Sequence, residues 1–90
     1  MEKNSDVEKT IDLFIQKVKY KVPAITQIMY EYNESIQSYL IWHNLVPKEE
    51  EKYSKELGAL ICDYLFANDV YDFSFAYNPE KFPKTSIYQI

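Results

Sequence analysis

The stretch LGALICDYLFA at residues 57–67 decides the predicted fold, because it is apolar on two opposite sides of a helix. One face follows i, i+3, i+4 and i+7 spacing and consists of Tyr53, Leu57, Leu60, Ile61, Tyr64 and Leu65. The opposite face carries Ala59, Cys62 and Phe66. A helix that is apolar on both sides is usually covered on both sides. We therefore expect its first face to pack on two neighbouring helices, and its second face to be covered by the aromatic C-terminal segment or by a partner. An exposed Phe66 would mark that second face as a binding surface.

Two further helices are predicted on the N-terminal side of this stretch. Ser5 followed by Glu8 is typical of a capping box, and an apolar stripe continues into a helix over about 6–20. Pro23 interrupts it, and a second helix follows over about 24–44. The inward stripe of this second helix contains Ile25, Ile28, Met29, Tyr32, Ile36, Tyr39, Leu40 and His43. Pro47 and the glutamates after it begin the third helix, over about 48–68.

The C-terminal segment fits two patterns. Tyr71, Phe73, Phe75 and Tyr77 alternate with smaller or polar residues, as in a strand. Helical spacing also connects Phe73 and Tyr77 with earlier apolar residues. We predict an all-α fold, a compact three- to four-helix bundle with helices over about 6–20, 24–44 and 48–68 and an aromatic C-terminal segment, in one domain over residues 1–90. The alternative is an α+β fold with a C-terminal β-hairpin over 71–77 and 84–90.

Composition excludes several classes of function. The net charge is −4, and all ten basic residues are lysine. Because arginine makes most forked contacts with phosphate and guanine, direct nucleic-acid binding is not expected. The single glycine excludes phosphate-binding glycine loops. The first residues, MEKNSDVEKT, lack the apolar core of a secretory signal, and the charge-free run at 35–47 is too short to cross a membrane. We expect a cytoplasmic protein.

No catalytic or metal-binding constellation is expected. His43 and Cys62 are the chain's one histidine and one cysteine, and metal sites need clustered ligands. We interpret His43 as a packed residue and Cys62 as a small buried apolar residue. Pairs of carboxylates at i and i+3, such as Glu31 and Glu34, belong to a solvated helix face more often than they carry out acid–base catalysis. The prediction is a protein that is not an enzyme and has no cofactor.

Positive charge is missing from two long stretches. Residues 22–47 and 56–80 contain no lysine, although carboxylates and tyrosines are frequent in both. Tyrosine gives a large, rigid contact area, and carboxylates around it select a basic partner. The predicted partner-binding residues are Tyr30, Glu31, Glu34, Ile41, Asp63, Phe66, Asp69, Tyr71 and Asp72. A large aromatic core with ordinary surface acids explains the same pattern, so both interpretations stay open.

Two blocks, IDLFIQKVKYKVPAITQIMYEY and ELGALICDYLFANDVYDFSFAYNP, resemble the small bacterial immunity proteins that neutralise nuclease toxins. In helix layout, size and acidity the chain is most similar to the colicin D immunity type. The resemblance implies a compact helical bundle whose acidic surface occupies the basic, RNA-binding active site of a toxin. Its carboxylates would then stand in for the phosphates of the substrate.

Three functional hypotheses follow. The first is an acidic immunity protein or antitoxin that binds and neutralises a basic nuclease. The second is a phage-encoded inhibitor of a host defence nuclease that mimics nucleic acid. The third is a structural module that associates with itself through the second face of the third helix. The oligomeric state is left as monomer or homodimer.

Overall fold

A β-hairpin forms the middle of the fold. In the computed structural model, which describes residues 2–82, strand β1 covers Ile28–Asn33 and strand β2 covers Ser38–His43. The two strands are antiparallel, with Tyr30 opposite Ile41 and Tyr32 opposite Tyr39. Both strands are rich in β-branched and aromatic residues, which suit the pleated surface of a sheet.

The predictions of a helix over about 24–44, of an all-α bundle and of a helical domain are therefore wrong. The protein is α+β. The apolar residues of this stretch fit helical spacing, but in the strands they also fit the alternation of a β-strand. The turn between the strands decides in favour of the hairpin. The Asn33 side chain accepts hydrogen bonds from the backbone N–H groups of Ser35 (2.9 Å) and Ile36 (3.3 Å). With Gln37 in the left-handed region at a φ of 50°, this turn reverses the chain.

Helix α1 covers Ser5–Lys21, where a helix over about 6–20 was predicted. Its cap is Asn4 rather than Ser5, because the Asn4 side chain accepts from the N–H groups of Asp6 (2.8 Å) and Val7 (3.2 Å). Ile11, Phe14 and Val18 of the predicted stripe are fully buried.

A second helical segment occupies residues 47–68, where a helix over about 48–68 was predicted. Its regular parts are α2 (Pro47–Glu50) and α3 (Ser54–Leu60), separated by a 3-10 turn at Glu51–Tyr53. A π-helical turn at Ile61–Leu65 and a 3-10 turn at Phe66–Asn68 continue it to Asp69, whose φ of 59° ends the helix. Leu57, Leu60 and Leu65 of the predicted inner face are buried, and they belong to one core with the buried residues of α1.

Strand β3 covers Phe73–Tyr77 and pairs with β2 in parallel, so the sheet order is β1-β2-β3. A strand over 71–77 was part of the alternative prediction, but β3 pairs with β2 and not within a C-terminal hairpin. The run at 84–90 lies outside the described residues. The helices contact the sheet face that carries Tyr39, Ile41 and His43: Phe14 packs edge-on against Phe75, with 5.7 Å between ring centroids.

Candidate functional site

Three tyrosines from the hairpin form a cluster beneath the first turns of α1. Tyr39 is fully buried, and its ring centroid lies 4.9 Å from that of Tyr32 and 6.0 Å from that of Tyr30. The Tyr39 hydroxyl accepts a hydrogen bond from the N–H of Asn4 (2.9 Å) and donates one to Glu8 Oε2 (2.9 Å). This cluster fixes the start of α1 over the end of the hairpin.

Carboxylate residues from three separate parts of the chain lie at this cluster: Glu8 on α1, Glu34 two residues after Tyr32, and Asp72, whose backbone carbonyl accepts from the Tyr39 N–H (3.0 Å). Partial desolvation raises the pKa of Tyr32 above its ordinary value, and the charges of Glu2, Glu34 and Asp72 raise it further, while a hydrogen bond with the Lys3 backbone lowers it. We call the carboxylates acting on Tyr30 and Tyr32 the acidic surface; its members are Glu2, Glu8, Asp12, Glu34 and Asp72.

The members of the acidic surface that lie on α1 affect the pKa of Tyr30. Desolvation by burial raises its pKa, and Asp12 and Glu8 raise it further. A nearby carboxylate raises the pKa of a tyrosine because it disfavours the negatively charged phenolate. The carboxylates of α1 and those of the hairpin end both have this effect on the tyrosine cluster, so we infer that they contribute to one region of negative potential. Lys3 and Lys9, which directly follow Glu2 and Glu8 in sequence, are exposed.

The hairpin turn adds an apolar side chain to the acidic surface. Ile36 is 61% exposed in the turn and lies two residues after the exposed Glu34. A single exposed isoleucine needs no explanation by itself. Among carboxylates it supplies the apolar contact that charges alone lack in an interface.

Glu31 lies away from Glu34, on the sheet face opposite the helices. Its carboxylate forms a 2.7 Å ion pair with Lys81 and accepts a 2.7 Å hydrogen bond from Trp42 Nε1. The hydrogen bonds with Lys81 and then with Trp42 lower the pKa of Glu31 below its ordinary value. Lys81 also lies 5.6 Å from the centroid of the Trp42 ring. Glu31 thus joins the sheet to the segment after β3.

Phe66, Asp69 and Tyr71 lie together at the connection from the second helical segment to β3. The rings of Phe66 and Tyr71 are stacked with centroids 5.4 Å apart, and 41% of Phe66 and 60% of Tyr71 are exposed. The Tyr71 hydroxyl lies 3.3 Å from the Phe66 carbonyl oxygen and 3.4 Å from Asp69 Oδ1. The expected cover over Phe66 is therefore incomplete.

The two remaining predicted residues occupy other places. Asp63 lines a cleft of about 230 Å³, together with Lys21 and Glu56, between the end of α1 and α3. Ile41 is fully buried in the sheet beneath the helices, so its side chain does not reach the surface. Glu34 and Asp72 thus both act on Tyr32, which lies in one cluster with Tyr30, whereas Glu31 lies on the other sheet face and Asp63 lines the cleft. Asp72 directly follows Tyr71 of the Phe66 cluster.

His43 and Cys62 differ in their surroundings. His43 is fully buried; its Nδ1 accepts a hydrogen bond from the N–H of Leu45 (3.1 Å), and its Nε2 lies 3.3 Å from Glu50 Oε1. The packed histidine that we predicted is present. Cys62, by contrast, is exposed, so the prediction of a buried thiol is wrong. The thiol faces outward because the sheet and α1 both lie on the other side of the segment.

Within residues 2–82, no group of three or more histidine, cysteine, aspartate or glutamate side chains is arranged to hold a metal ion. No helix in the described part of the chain has the length and apolar character needed to cross a membrane.

Sequence reasoning missed Ile36, Glu2, Glu8 and Asp12. Ile36 was placed on the inward stripe of a helix that does not form. The signal that identifies it is Asn33–Glu34–Ser35, a run of turn-forming and polar residues between two alternating apolar stretches. Of the carboxylates in the N-terminal region, only Glu8 was given a role, as part of a capping box, because nothing in the sequence shows that α1 begins over the hairpin end.

Comparison with known protein families, with characterised proteins and with solved structures finds no match to this chain.

Proposed function

We propose that the protein is a non-catalytic inhibitor that binds and neutralises a basic partner, in the manner of an immunity protein or antitoxin acting on a nuclease. The observation that carries this proposal is that carboxylate residues from α1, the hairpin turn and the loop before β3 lie at one tyrosine cluster. Glu8 accepts a hydrogen bond from the Tyr39 hydroxyl (2.9 Å), the Asp72 backbone carbonyl accepts one from the Tyr39 N–H (3.0 Å), and Glu34 begins the turn two residues after Tyr32. The charges of Glu2 and Asp12 act on the same cluster, since they add to the effect of burial in raising the pKa of Tyr32 and Tyr30 respectively. The proposal includes a cytoplasmic location, where such a nuclease meets its substrate.

The acidic surface suits a partner with clustered lysines or arginines. Aligned opposite charges raise the association rate more than they raise affinity, and they make association sensitive to salt. Ile36 would then contribute to the lifetime of the complex, because apolar side chains buried at the centre of an interface dominate its energy. The nucleic-acid mimic encoded by a phage uses the same surface and differs only in the partner.

Neutralising three exposed members of the acidic surface tests this proposal. The partner is first isolated from the source organism with the immobilised wild-type chain, and its nuclease activity is measured with and without the inhibitor. We then expect Glu2→Gln/Glu34→Gln/Asp72→Asn to lower the association rate constant with this partner by about tenfold or more at low salt. We expect Ile36→Ser to raise the dissociation rate instead.

The matched control is Glu51→Gln/Glu56→Gln/Glu80→Gln, which removes the same amount of charge from exposed positions elsewhere. The control should keep the wild-type association rate within about twofold, since long-range steering depends on where the charge lies. Equal effects of the two triple variants, or a captured partner that is acidic, would contradict the proposal.

A further inference from the structure

Strand β1 forms one edge of the sheet, since among residues 2–82 it pairs with β2 alone. On the opposite side of β2, the Tyr39 N–H donates to the Asp72 carbonyl (3.0 Å), and the His43 carbonyl accepts from the Asn78 N–H (2.9 Å). Residues alternate in direction along a strand, so the backbone groups of Tyr39, Ile41 and His43 all point towards β3.

The residues that face these three across the hairpin direct their backbone groups away from β2. Ile28 lies opposite His43, and Tyr30 lies opposite Ile41. In an antiparallel pair, opposite residues point their N–H and carbonyl groups either towards each other or both outward. Those of Ile28 and Tyr30 therefore point to the open side of β1, which we call the β1 edge. No hydrogen bond from another residue in the described part of the chain engages them.

The β1 edge lacks the features with which natural proteins keep other strands away. Such edges usually carry lysine or proline, or are distorted by a bulge. Strand β1 reads IMYEYN and pairs with β2 residue by residue from Ile28 to Asn33. Its one charged side chain, Glu31, forms an ion pair with Lys81 on the sheet face opposite the helices. Six residues without such protection offer room for an added strand.

Carboxylates of α1 lie beside β1, on the side of the sheet that the helices cover. Glu8 accepts a 2.9 Å hydrogen bond from Tyr39, which lies opposite Tyr32 of β1. Burial raises the pKa of Tyr30, and the charge of Asp12, one helical turn after Glu8, raises it further. Glu8 and Asp12 are about 6 Å apart along the helix axis. Alternate residues of a strand are about 7 Å apart, so basic residues at every second position match this spacing.

Charge selects the kind of strand that fits the β1 edge. A second copy of the chain would bring its own acidic surface beside this one, and like charges oppose that arrangement. A segment of a basic partner instead places lysines or arginines beside Glu8 and Asp12. Its alternate side chains lie on the other sheet face, near Met29 and the ion pair of Glu31 with Lys81. Apolar residues suit those positions, because the charge of Glu31 is already balanced.

We propose that an extended segment of the basic partner, in which lysine or arginine alternates with apolar residues, adds to the β1 edge as a fourth strand of the sheet. This inference rests on the proposed function and names how the partner of the acidic surface is held. In this mode of recognition, hydrogen bonds between main chains supply affinity, and the alternating side chains supply specificity.

A capped heptapeptide in which lysine alternates with valine is the probe for the β1 edge. Amide hydrogen–deuterium exchange is followed by NMR as the peptide is raised to millimolar concentration. We expect exchange at Ile28 and Tyr30 to slow by about tenfold or more at saturation, because these amides gain hydrogen-bond acceptors. The amide of Phe75, on the strand at the other edge of the sheet, is the matched control and should be unaffected. Unchanged exchange at Ile28 and Tyr30, or equal protection of Phe75, would overturn the proposal.

N-methylation of the peptide separates strand pairing from attraction between charges. A methyl group on every second backbone nitrogen removes the donors from one edge of the peptide and leaves its charge unchanged. Only one edge of the peptide faces β1, namely that of the lysine amides in an antiparallel pair and that of the valine amides in a parallel pair. We therefore expect one methylated peptide to lose the protection of Ile28 and Tyr30 and the other to keep it. Equal binding of both methylated peptides would overturn the proposal, because charge alone would then hold them.

The captured partner distinguishes a failure of this inference from a failure of the proposed function. Suppose that Glu2→Gln/Glu34→Gln/Asp72→Asn slows association, but the partner leaves the amides of Ile28 and Tyr30 unprotected. The partner then uses the acidic surface without adding a strand, and only the further inference is wrong. If the triple variant instead associates as fast as the wild type, the proposed function is wrong, and the peptide still shows whether the β1 edge accepts a strand.

Discussion

His43 places a titratable ring on the buried sheet face, at the C-terminal end of the central strand. Burial lowers its pKa below the ordinary 6.5, although Glu50 raises it in part. Because the Leu45 N–H donates to Nδ1, the neutral ring carries its proton on Nε2, towards Glu50. If Nδ1 were protonated, its N–H would point at the Leu45 N–H, and two hydrogen-bond donors would face each other. The Leu45 N–H therefore disfavours the protonated ring, in the same direction as burial does.

The lowered pKa predicts how stability depends on pH. As pH falls below about 6.5, the unfolded chain takes up a proton on His43 before the folded chain does, so the free energy of unfolding decreases. The slope for one proton is at most about 1.4 kcal/mol per pH unit. Urea unfolding between about pH 5 and 8 measures it. His43→Gln cannot titrate and should flatten this dependence, since no other histidine is present; an unchanged slope would contradict the prediction.

At the scale of elements, the attachment of α1 to the sheet depends on the Tyr39 hydroxyl. Tyr39→Phe leaves the ring in the core and removes the two hydrogen bonds that hold Asn4 and Glu8. We expect the free energy of unfolding to decrease by about 1–2 kcal/mol, because a backbone N–H and a carboxylate lose a partner. The first amides of α1 should also exchange faster with deuterium.

Tyr20→Phe is the matched control for this substitution, because Tyr20 is 78% exposed and carries the same hydroxyl. Its free energy of unfolding should stay within about 0.5 kcal/mol of the wild type. If Tyr39→Phe were equally neutral, the tyrosine cluster would not be what holds α1 over the hairpin.

The two helical segments could be predicted from sequence, and the hairpin between them could not. Caps, prolines and stripes locate α1 and residues 47–68, whereas residues 28–43 satisfy both helical and strand periodicity. The error reverses the environment of two isoleucines. Ile36 was expected in the core and is 61% exposed, while Ile41 was expected on the surface and is fully buried. Ile41 is buried because side chains of a strand alternate with a period of two instead of 3.6, whereas Ile36 is exposed because it lies in the hairpin turn.

At the scale of the whole molecule, the sequence predicts the residue types of the candidate site but not which residues come together. The sequence shows carboxylates interleaved with tyrosines, and the charges of Glu34 and Asp72 do act on Tyr32, a neighbour of Tyr30 in the tyrosine cluster. Their companions Glu2, Glu8 and Asp12 come from the N-terminal region, which packs against the hairpin end through contacts about thirty residues apart in sequence, such as Tyr39 with Glu8. No local pattern encodes such a contact. The same tertiary arrangement places Glu31 in an ion pair with Lys81 on the other sheet face.

Mapping the bound surface by NMR tests the central claim most directly, namely that the acidic surface is where a basic partner binds. The ¹⁵N-labelled chain is titrated with the captured partner while its amide resonances are followed. We expect the largest changes at Glu34, Ser35, Ile36 and Asp72, and weaker binding as salt is raised. Changes confined to residues 58–67 of the second helical segment, with the hairpin turn unaffected, would contradict the claim.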